Sequence, residues 1–446
     1  MRSRSAGDPL PPVPVRTATA RRWRPTFTMR RAATLLIFVV ALALLTGWPH
    51  LVMLGLPLAV GTGLAWGSKQ GQPDTELRVE FARMAEQSAP SEVAMTVTGL
   101  DRVEVAVLGL PVGMVRGRAR RLVLGPQHDA ETVDVRVDTT TWGVHEYGEA
   151  AMRVASGDGL FASEIVSTRV PPLRVLPSAH VLSAPELPAR SAGQVGAHRT
   201  RRPGDGSELL EVREFRPGDR IRRIDWRVSA RRDKLHVRHT AIDADAELVI
   251  CVDPRHDLGP DVATWQERAA DDADGRGRTS LDIAVSAAVT LATTYTRLGD
   301  RVALLDLAVP HRAVRPGSGR RQLMRIRWQL AGMTSGGTLS QRSFDESTLP
   351  RGAVTVILSA FMDDEITELA RRLAATRRDA IAVDVLPDLD LPVERHERAA
   401  ARLLLAEHDD RLAWLTRRGV LVTRWEPALF SALIRERQRS RQRRAA

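Results

Sequence analysis

The sequence predicts a membrane-anchored, multidomain fold: an N-terminal transmembrane helical hairpin, a small β-sandwich, then a doubly wound α/β domain. Three observations predict it. No Asp, Glu, Lys or Arg occurs from Ala32 to Ser68. Between about Glu76 and Pro177, short runs alternate polar and apolar residues, the period of a half-buried strand. From Ala246 onward, apolar runs of strand length alternate with stretches of helical spacing, as in a parallel sheet covered on both faces.

The uncharged stretch breaks once, at Gly47-Trp48-Pro49-His50, into Ala32–Thr46 and Leu51–Trp66. Each half spans roughly 23–26 Å at about 1.5 Å per residue and needs part of a flanking turn to cross a core of about 30 Å. A cleaved signal peptide would leave the second run unexplained, so residues 32–68 read as two closely spaced spans. Arg16, Arg21, Arg22, Arg24, Arg30 and Arg31 precede the first span. Residues 1–31 therefore read as a basic segment that stays in the cytoplasm, and the second span returns the chain there.

Residues 76–177 carry the alternating runs Leu77–Phe81, Ala94–Thr98, Val103–Val107 and Thr132–Val137, which read as strands of a β-sandwich. His145 and Tyr147 read as turn or edge residues, and nothing there points to chemistry. Residues 178–240 follow as a linker that leads into a charged motif. The α/β domain, residues 241–434, is expected to alternate strands at Ala246–Val252, Val302–Val309, Val354–Leu358, Ala380–Leu386 and Val420–Thr423 with helices at Leu281–Leu298, Arg320–Leu330, Glu365–Ala375, Ala399–Thr416 and Pro427–Arg437. Residues 435–446 form an Arg-rich tail.

Composition limits the function classes. The net charge is +11, but only Lys69 and Lys234 are lysines and asparagine is absent. This is the codon bias of a GC-rich bacterial genome, and it weakens any argument from basicity to nucleic acid. Cys251 is the only cysteine, which excludes an intramolecular disulfide and a cysteine-built zinc site. Its apolar surroundings read as those of an inert, buried thiol.

The motif is Arg213-Glu214-Phe215-Arg216-Pro217-Gly218-Asp219-Arg220-Ile221-Arg222-Arg223-Ile224-Asp225-Trp226, followed by Ser229-Ala230-Arg231. Pro217-Gly218-Asp219 is a turn. The crowded guanidiniums demand carboxylates, either internal or on an acidic partner. Trp226 beside arginine has the composition of an interface anchor. An internal ion-pair clamp and a partner surface both fit. Catalysis does not follow: Arg232 stands three residues after Ser229, where a serine–lysine pair needs a deprotonatable base.

These residues resemble the bacterial domain-of-unknown-function fifty-eight family, whose pattern is Arg-Glu-Tyr, Gly-Asp, an arginine three residues on, Ile-Asp/Asn-Trp and Ser-Ala-Arg. Here it is met by Arg213, Glu214, Gly218, Asp219, Arg222, Asp225, Trp226, Ser229 and Arg231, with Phe215 in place of the tyrosine. The resemblance implies a von Willebrand factor A-like C-terminal domain and a MoxR-type AAA+ ATPase as partner, possible company of other von Willebrand A-like proteins, and a role in assembling or maturing protein complexes. That domain's metal site normally begins Asp-x-Ser-x-Ser; here Asp253-Pro254-Arg255-His256-Asp257 stands instead, and the later strand ends Leu358-Ser359-Ala360 without an aspartate. The expectation is a degenerate site at Asp253, Arg255 and Asp257, with Arg255 held by the two aspartates, no metal and no cofactor. The whole reads as a non-enzymatic adaptor at the bacterial inner membrane with its soluble domains cytoplasmic and no nucleic-acid partner. The alternatives are an envelope enzyme of unknown chemistry and nucleic-acid binding through arginine patches.

Overall fold

The computed structural model describes residues 15–68, 74–81, 84–100, 103–110, 121–125, 128–156, 159–180, 182, 198–216, 224–232, 234–244, 247–262, 265, 278–337, 353–375 and 379–445. The chain divides into two compact units, Met1–Leu176 and Pro177–Ala446.

The first unit opens with two short strands, β1 (Val15–Ala20) and β2 (Trp23–Pro25), before helices α1 (Phe27–Thr46) and α2 (His50–Ser68). It continues through β3 (Thr75–Phe81), β4 (Met84–Glu86), β5 (Ser91–Thr98), β6 (Val105–Gly109), β7 (Arg121–Leu124), β8 (Ala130–Val137), β9 (Gly143–His145), β10 (Glu149–Ala155), β11 (Phe161–Ser163), β12 (Val166–Arg169) and β13 (Leu173–Leu176). One sheet has the order β1-β3-β5-β8, a second runs β2-β11-β10-β6-β7 with β12 also on β10, and a small third runs β4-β13-β9. The alternation read in the sequence places Leu77, Val79, Phe81, Val93, Met95 and Val97 of the first sheet against Ala106, Leu108, Ala150, Met152 and Val154 of the second in one core. Tyr147, read as a turn or edge residue, lies in the connection from β9 to β10 and is buried, with its ring edge-on to Phe81 at 5.8 Å.

The N-terminal segment differs from the expected basic arm. β1 pairs antiparallel with β3 over six residues, Val15↔Glu80 to Ala20↔Thr75, and β2 pairs with β11. The helical hairpin is thus inserted between two strands of one β unit. Its first helix starts at Phe27, ahead of the last arginines, because the Thr26 side chain accepts from Met29 N and caps it. The helix stops at Gly47, whose φ of 71° only glycine adopts cheaply. At Gly55 of α2 an added Cβ would lie 3.3 Å from Leu36, so the glycine lets the two helices approach closely. Both helices are long and apolar enough to cross a membrane.

The second unit begins with a two-stranded ribbon, β14 (His198–Glu214) against β15 (His236–Ala244), with α3 (Trp226–Arg232) between them. The expected linker is therefore partly strand. Pro203, Gly204 and Gly206 hide any period there. Next come β16 (Glu247–Val252), α4 (Ser280–Arg297), β17 (Arg301–Asp306), β18 (Val314–Gly317), α5 (Gly319–Leu330), β19 (Val354–Ser359), α6 (Asp364–Ala375), β20 (Asp379–Asp384), α7 (Arg395–Arg417), β21 (Leu421–Arg424) and α8 (Pro427–Ala445). The sheet order is β18-β17-β16-β19-β20-β21. All pairings are parallel except β17–β18. Every residue of β19 is buried, and so are Leu248–Val252 of β16, as the continuous apolar runs require of strands covered on both faces. α8 carries helix through the Arg-rich tail as far as Ala445.

Candidate functional site

Two places in the second unit gather the residues singled out in the sequence. The first is the motif. Arg213 and Glu214 end β14, Arg213 Nη1 donates to Glu214 O at 2.9 Å, and Glu214 pairs with Lys234 at 3.1 Å on the surface. Gly218, Asp219 and Arg222 lie outside the described residues. Asp225 and Ser229 are buried. Asp225 Oδ1 accepts from Arg227 N and Val228 N, both at 3.1 Å, and so caps α3. Its own N donates to His236 O at 2.8 Å. Ser229 Oγ accepts from His236 N at 2.8 Å, and His236 Nδ1 lies 2.8 Å from Lys234 O. These bonds fasten the helix onto the start of β15.

The other half of the motif faces outward. Trp226 is 66% exposed, beside exposed Arg227, Ala230, Arg231 and Arg232 on a helix with no acid in its first turn. Clamp and surface, the two readings of the motif, are divided between neighbouring residues: Asp225 and Ser229 hold, while Trp226 and Arg231 project. A seven-residue helix is too short to hold itself; Asp225 satisfies N–H groups at its start and Ser229 ties it to β15.

The second place is the C-terminal edge of the sheet, between β16 and β19, where the strand order reverses and doubly wound sheets open a crevice. Asp253 follows β16 and is buried. Arg255 Nε meets Asp253 Oδ1 at 2.8 Å and Nη2 meets Oδ2 at 3.0 Å, a bidentate pair. Ser359 Oγ donates to Asp253 Oδ2 at 2.8 Å. Arg255 Nη1 reaches on to Asp363 at 3.0 Å and Glu365 at 3.2 Å. His256 Nε2 also lies 3.0 Å from Asp363, whose Oδ1 accepts from Ile366 N at 3.0 Å and starts α6. Burial works to raise the Asp363 pKa, but bonds from His256, Ile366 N and Arg255 outweigh it and hold the carboxyl well below the usual range. Asp306, at the end of β17, is pushed the other way by burial, against bonds from Val309 N and Ala308 N.

Asp253 thus holds Arg255, but Asp257 does not. Asp257 Oδ1 instead accepts from Leu281 N at 3.3 Å, in the first turn of α4. Asp363 and Glu365 take the place expected for Asp257. Neither carried a sequence signal toward Arg255, since Glu365 stands 110 residues further along. The local hint was only a run of three acids, Asp363-Asp364-Glu365, opening a helix after an apolar strand. Phe361 completes the corner with φ 49° while fully buried, a conformation costing about 1–3 kcal/mol that surrounding structure must hold. Its N donates to Ser359 Oγ at 3.1 Å. Cys251, one strand residue before the corner, is fully buried and its thiol is pushed up to about 12 by desolvation.

The donor set tests whether a divalent cation suits this corner. Both oxygens of Asp253 and one of Asp363 already face a guanidinium whose side chain is 6% exposed. A cation placed there would meet a fixed positive charge that cannot deprotonate. The residues do not fit a metal.

The family model described as "Protein of unknown function DUF58" matches residues 211–395, from the end of β14 through the motif and four parallel strands to the start of α7. Uncharacterized proteins of Mycobacterium bovis and Mycobacterium tuberculosis are each 30% identical over 207 residues, covering 44% of this chain and 61% of the relative. The match to these relatives spans about 61% of their length.

Proposed function

We propose, from the premise that residues 211–395 are a domain of this family of unknown function, that the protein is a membrane-anchored, non-catalytic adaptor. Its partner on this reading is a MoxR-type AAA+ ATPase, which the motif's resemblance implies, with further von Willebrand A-like proteins as companions. The client would be a protein complex under assembly or maturation. The second unit is read as containing a von Willebrand A-like domain, a reading supported by the order of its six-stranded sheet, in which β18 is the antiparallel strand. Its metal site is degenerate because Arg255 fills it.

The anchor is the α1–α2 hairpin. Leu35, Ile37, Phe38, Leu44, Leu45, Met53, Leu54 and Leu64 are all more than half exposed along it, a surface that water does not tolerate. The β1–β3 pairing supports two crossings: strands on either side of the hairpin share one sheet, so both lie on one face of the bilayer. A single crossing would tear them apart. The arginines ahead of α1 put that face in the cytoplasm.

The single observation that carries the adaptor reading is Trp226: a large aromatic side chain left in solvent on a helix that buried bonds hold in place and that also exposes Arg227, Arg231 and Arg232. Exposed aromatic–arginine clusters are the composition of interface anchors. Affinity purification of the tagged full chain in mild detergent tests it, beside Trp226→Ala/Arg231→Glu. Recovery of an AAA+ ATPase with the wild type and its loss from the folded variant is expected. Equal recovery with both would return the motif to a purely internal role, and no ATPase with either would sink the partnership.

A further inference from the structure

The hairpin is built into the first unit at its base. Thr26 N donates to Leu160 O at 2.9 Å, and its hydroxyl lies 2.7 Å from Gly159 O and 3.0 Å from Leu160 O. Met29 of α1, Ala65 of α2 and Phe161 of β11 form one buried cluster, with Trp23 and Leu160 packed on it. Trp66, near the end of α2, meets the Phe161 ring edge-on at 5.9 Å. The beginning of one helix and the end of the other are thereby fixed to the same strand and turn. The hairpin is no loose tether: its tilt and the orientation of the β unit are one mechanical quantity.

Around this joint the chain sets out positive charge. Arg21, Arg22, Arg24, Arg30 and Arg31 are exposed. Arg24 pairs with Glu164 at 3.1 Å, and Arg31 lies 4.3 Å over the Phe27 ring. Arg30 and Arg31 stand in the opening turns of α1, which has no acid in its first turn. That is the wrong sign for helix stability, because the N-terminal end of a helix repels cations. Intrahelical energetics therefore do not explain these arginines; an external layer of anions does. The tryptophans agree with such a layer. Trp23 and Trp66 sit at the base, and Trp48 stands at the far end near His50, with ring centroids 5.4 Å apart. The 20 residues of α1 lie between, about 30 Å of helix, with Arg30 and Arg31 in the turns at its base and the uncharged residues from Ala32 onward to cross the hydrocarbon. Tryptophan gathers at the two interfaces of a membrane.

We propose that the base of the hairpin is an anionic-phospholipid site. The guanidiniums of Arg30 and Arg31 hold headgroup phosphates, Trp23 and Trp66 lie at the interfacial level, and the β unit rests on the membrane surface as a rigid platform. This rests on the membrane-anchor reading and goes beyond it: an anchor alone needs only apolar length, whereas this site selects lipid by charge.

The full chain would be reconstituted into nanodiscs of equal phosphatidylcholine and phosphatidylglycerol. The lipids retained after mild detergent stripping would then be counted by native mass spectrometry. Retained lipid should be enriched in phosphatidylglycerol, and Arg30→Gln/Arg31→Gln should reduce that enrichment by about fivefold per arginine, the equivalent of about 1 kcal/mol each near an anionic surface. Arg136→Gln, on β8, is the control and should retain lipid as the wild type does. Equal retention of both lipids by the wild type, or an unchanged preference in the double variant, would overturn the lipid site and leave the anchor standing. A wild-type chain that never enters nanodiscs and is released from membranes by alkaline carbonate would overturn the anchor itself.

Discussion

Arg255→Ala is the substitution with the largest consequence. Asp253 is buried, with a side chain 2% exposed, and the guanidinium supplies two of its hydrogen bonds at 2.8 and 3.0 Å. Without Arg255 the carboxylate keeps the Ser359 hydroxyl at 2.8 Å and the main-chain N of residue 255 at 3.3 Å, and no cation. Breaking a buried ion pair on one side costs about 3–5 kcal/mol, because the stranded charge stays desolvated. Glu365 is more than half exposed, so its share is small after solvent screening, and the lower part of that range is expected. At about 2–4 °C per kcal/mol for a unit of this size, the second unit's midpoint should fall by roughly 6–16 °C. Arg255→Lys should lie between, since it keeps the charge and loses the fork. Calorimetry of the full chain in detergent reads the second unit's transition. The pH arm has a fixed sign. Asp363 has a folded pKa held below its ordinary value, so its contribution is present above about pH 4 and disappears as pH falls toward the folded value. Arg255 is one of the causes of that shift, so the gap between wild type and variant should be full at neutrality and narrow below about pH 4. A loss under about 1 kcal/mol would mean that Asp253 rehydrates. A saturable rise in the wild-type midpoint on adding Mg2+ would mean that the corner takes a metal after all. Either result refutes the reasoning.

The two halves of the motif should separate in a stability assay. Ser229→Ala leaves the buried His236 N–H without its acceptor and should cost about 1–3 kcal/mol, while Trp226→Ala, at an exposed position, should stay within about 0.5 kcal/mol; equal losses would contradict the division. His408, buried on α7, lies 3.4 Å from Asp384 and 3.5 Å from Asp409. Burial lowers its pKa, but these two carboxylates more than offset that and raise it. Its stabilisation should therefore be complete below the ordinary imidazole value and lost as pH climbs through the folded one. His408→Gln should be destabilised at pH 6 and converge with the wild type in alkali; a gap that widens with pH would reverse the assignment. Because Cys251 is buried with a thiol pushed up to about 12, a second cysteine is a clean reporter of sidedness. Thr19→Cys and Glu80→Cys should label from one face of sealed vesicles and His50→Cys from the other, and label on opposite faces for the first two would refute the hairpin.

Periodicity made most of the α/β unit legible because its signal is thermodynamic: β16 and β19 are apolar on both faces since both faces are buried. The alternation of β3 and β5 is the same signal with one face wet. What escaped lacks that cause. β18 is Val-Arg-Pro-Gly at a sheet edge, where a proline costs no ladder bond and no apolar run is required. β1 is made of Val15, two threonines, two alanines and Arg16, and the surrounding arginines drew the reading toward a membrane flank. At the candidate site, Arg255 stood out because a fixed charge replaced a hydroxyl. Asp363 and Glu365 did not, since their approach to Arg255 is made by the β16–β19 pairing and leaves no local trace.

The two clusters also bear on each other through accessibility. Recognition of a partner needs groups whose hydrogen bonds and charge remain to be satisfied. At the switch-point corner they are already spent: Asp253 is saturated by Arg255 and Ser359, Asp363 by Arg255, His256 and the α6 backbone. A ligand arriving there would have to break a desolvated pair before forming any contact, and buried pairs are costly to break from one side. At α3, which ends at Arg232 ahead of β15 and β16, the balance is opposite. The bonds that hold α3 run beneath it, from Asp225 and Ser229 to β15, and leave Trp226 and the adjacent arginines exposed. The domain closes its switch-point corner with its own arginine and leaves an aromatic side chain exposed on a pinned helix, so on the proposed adaptor reading Trp226, and not the corner, is the place to be held.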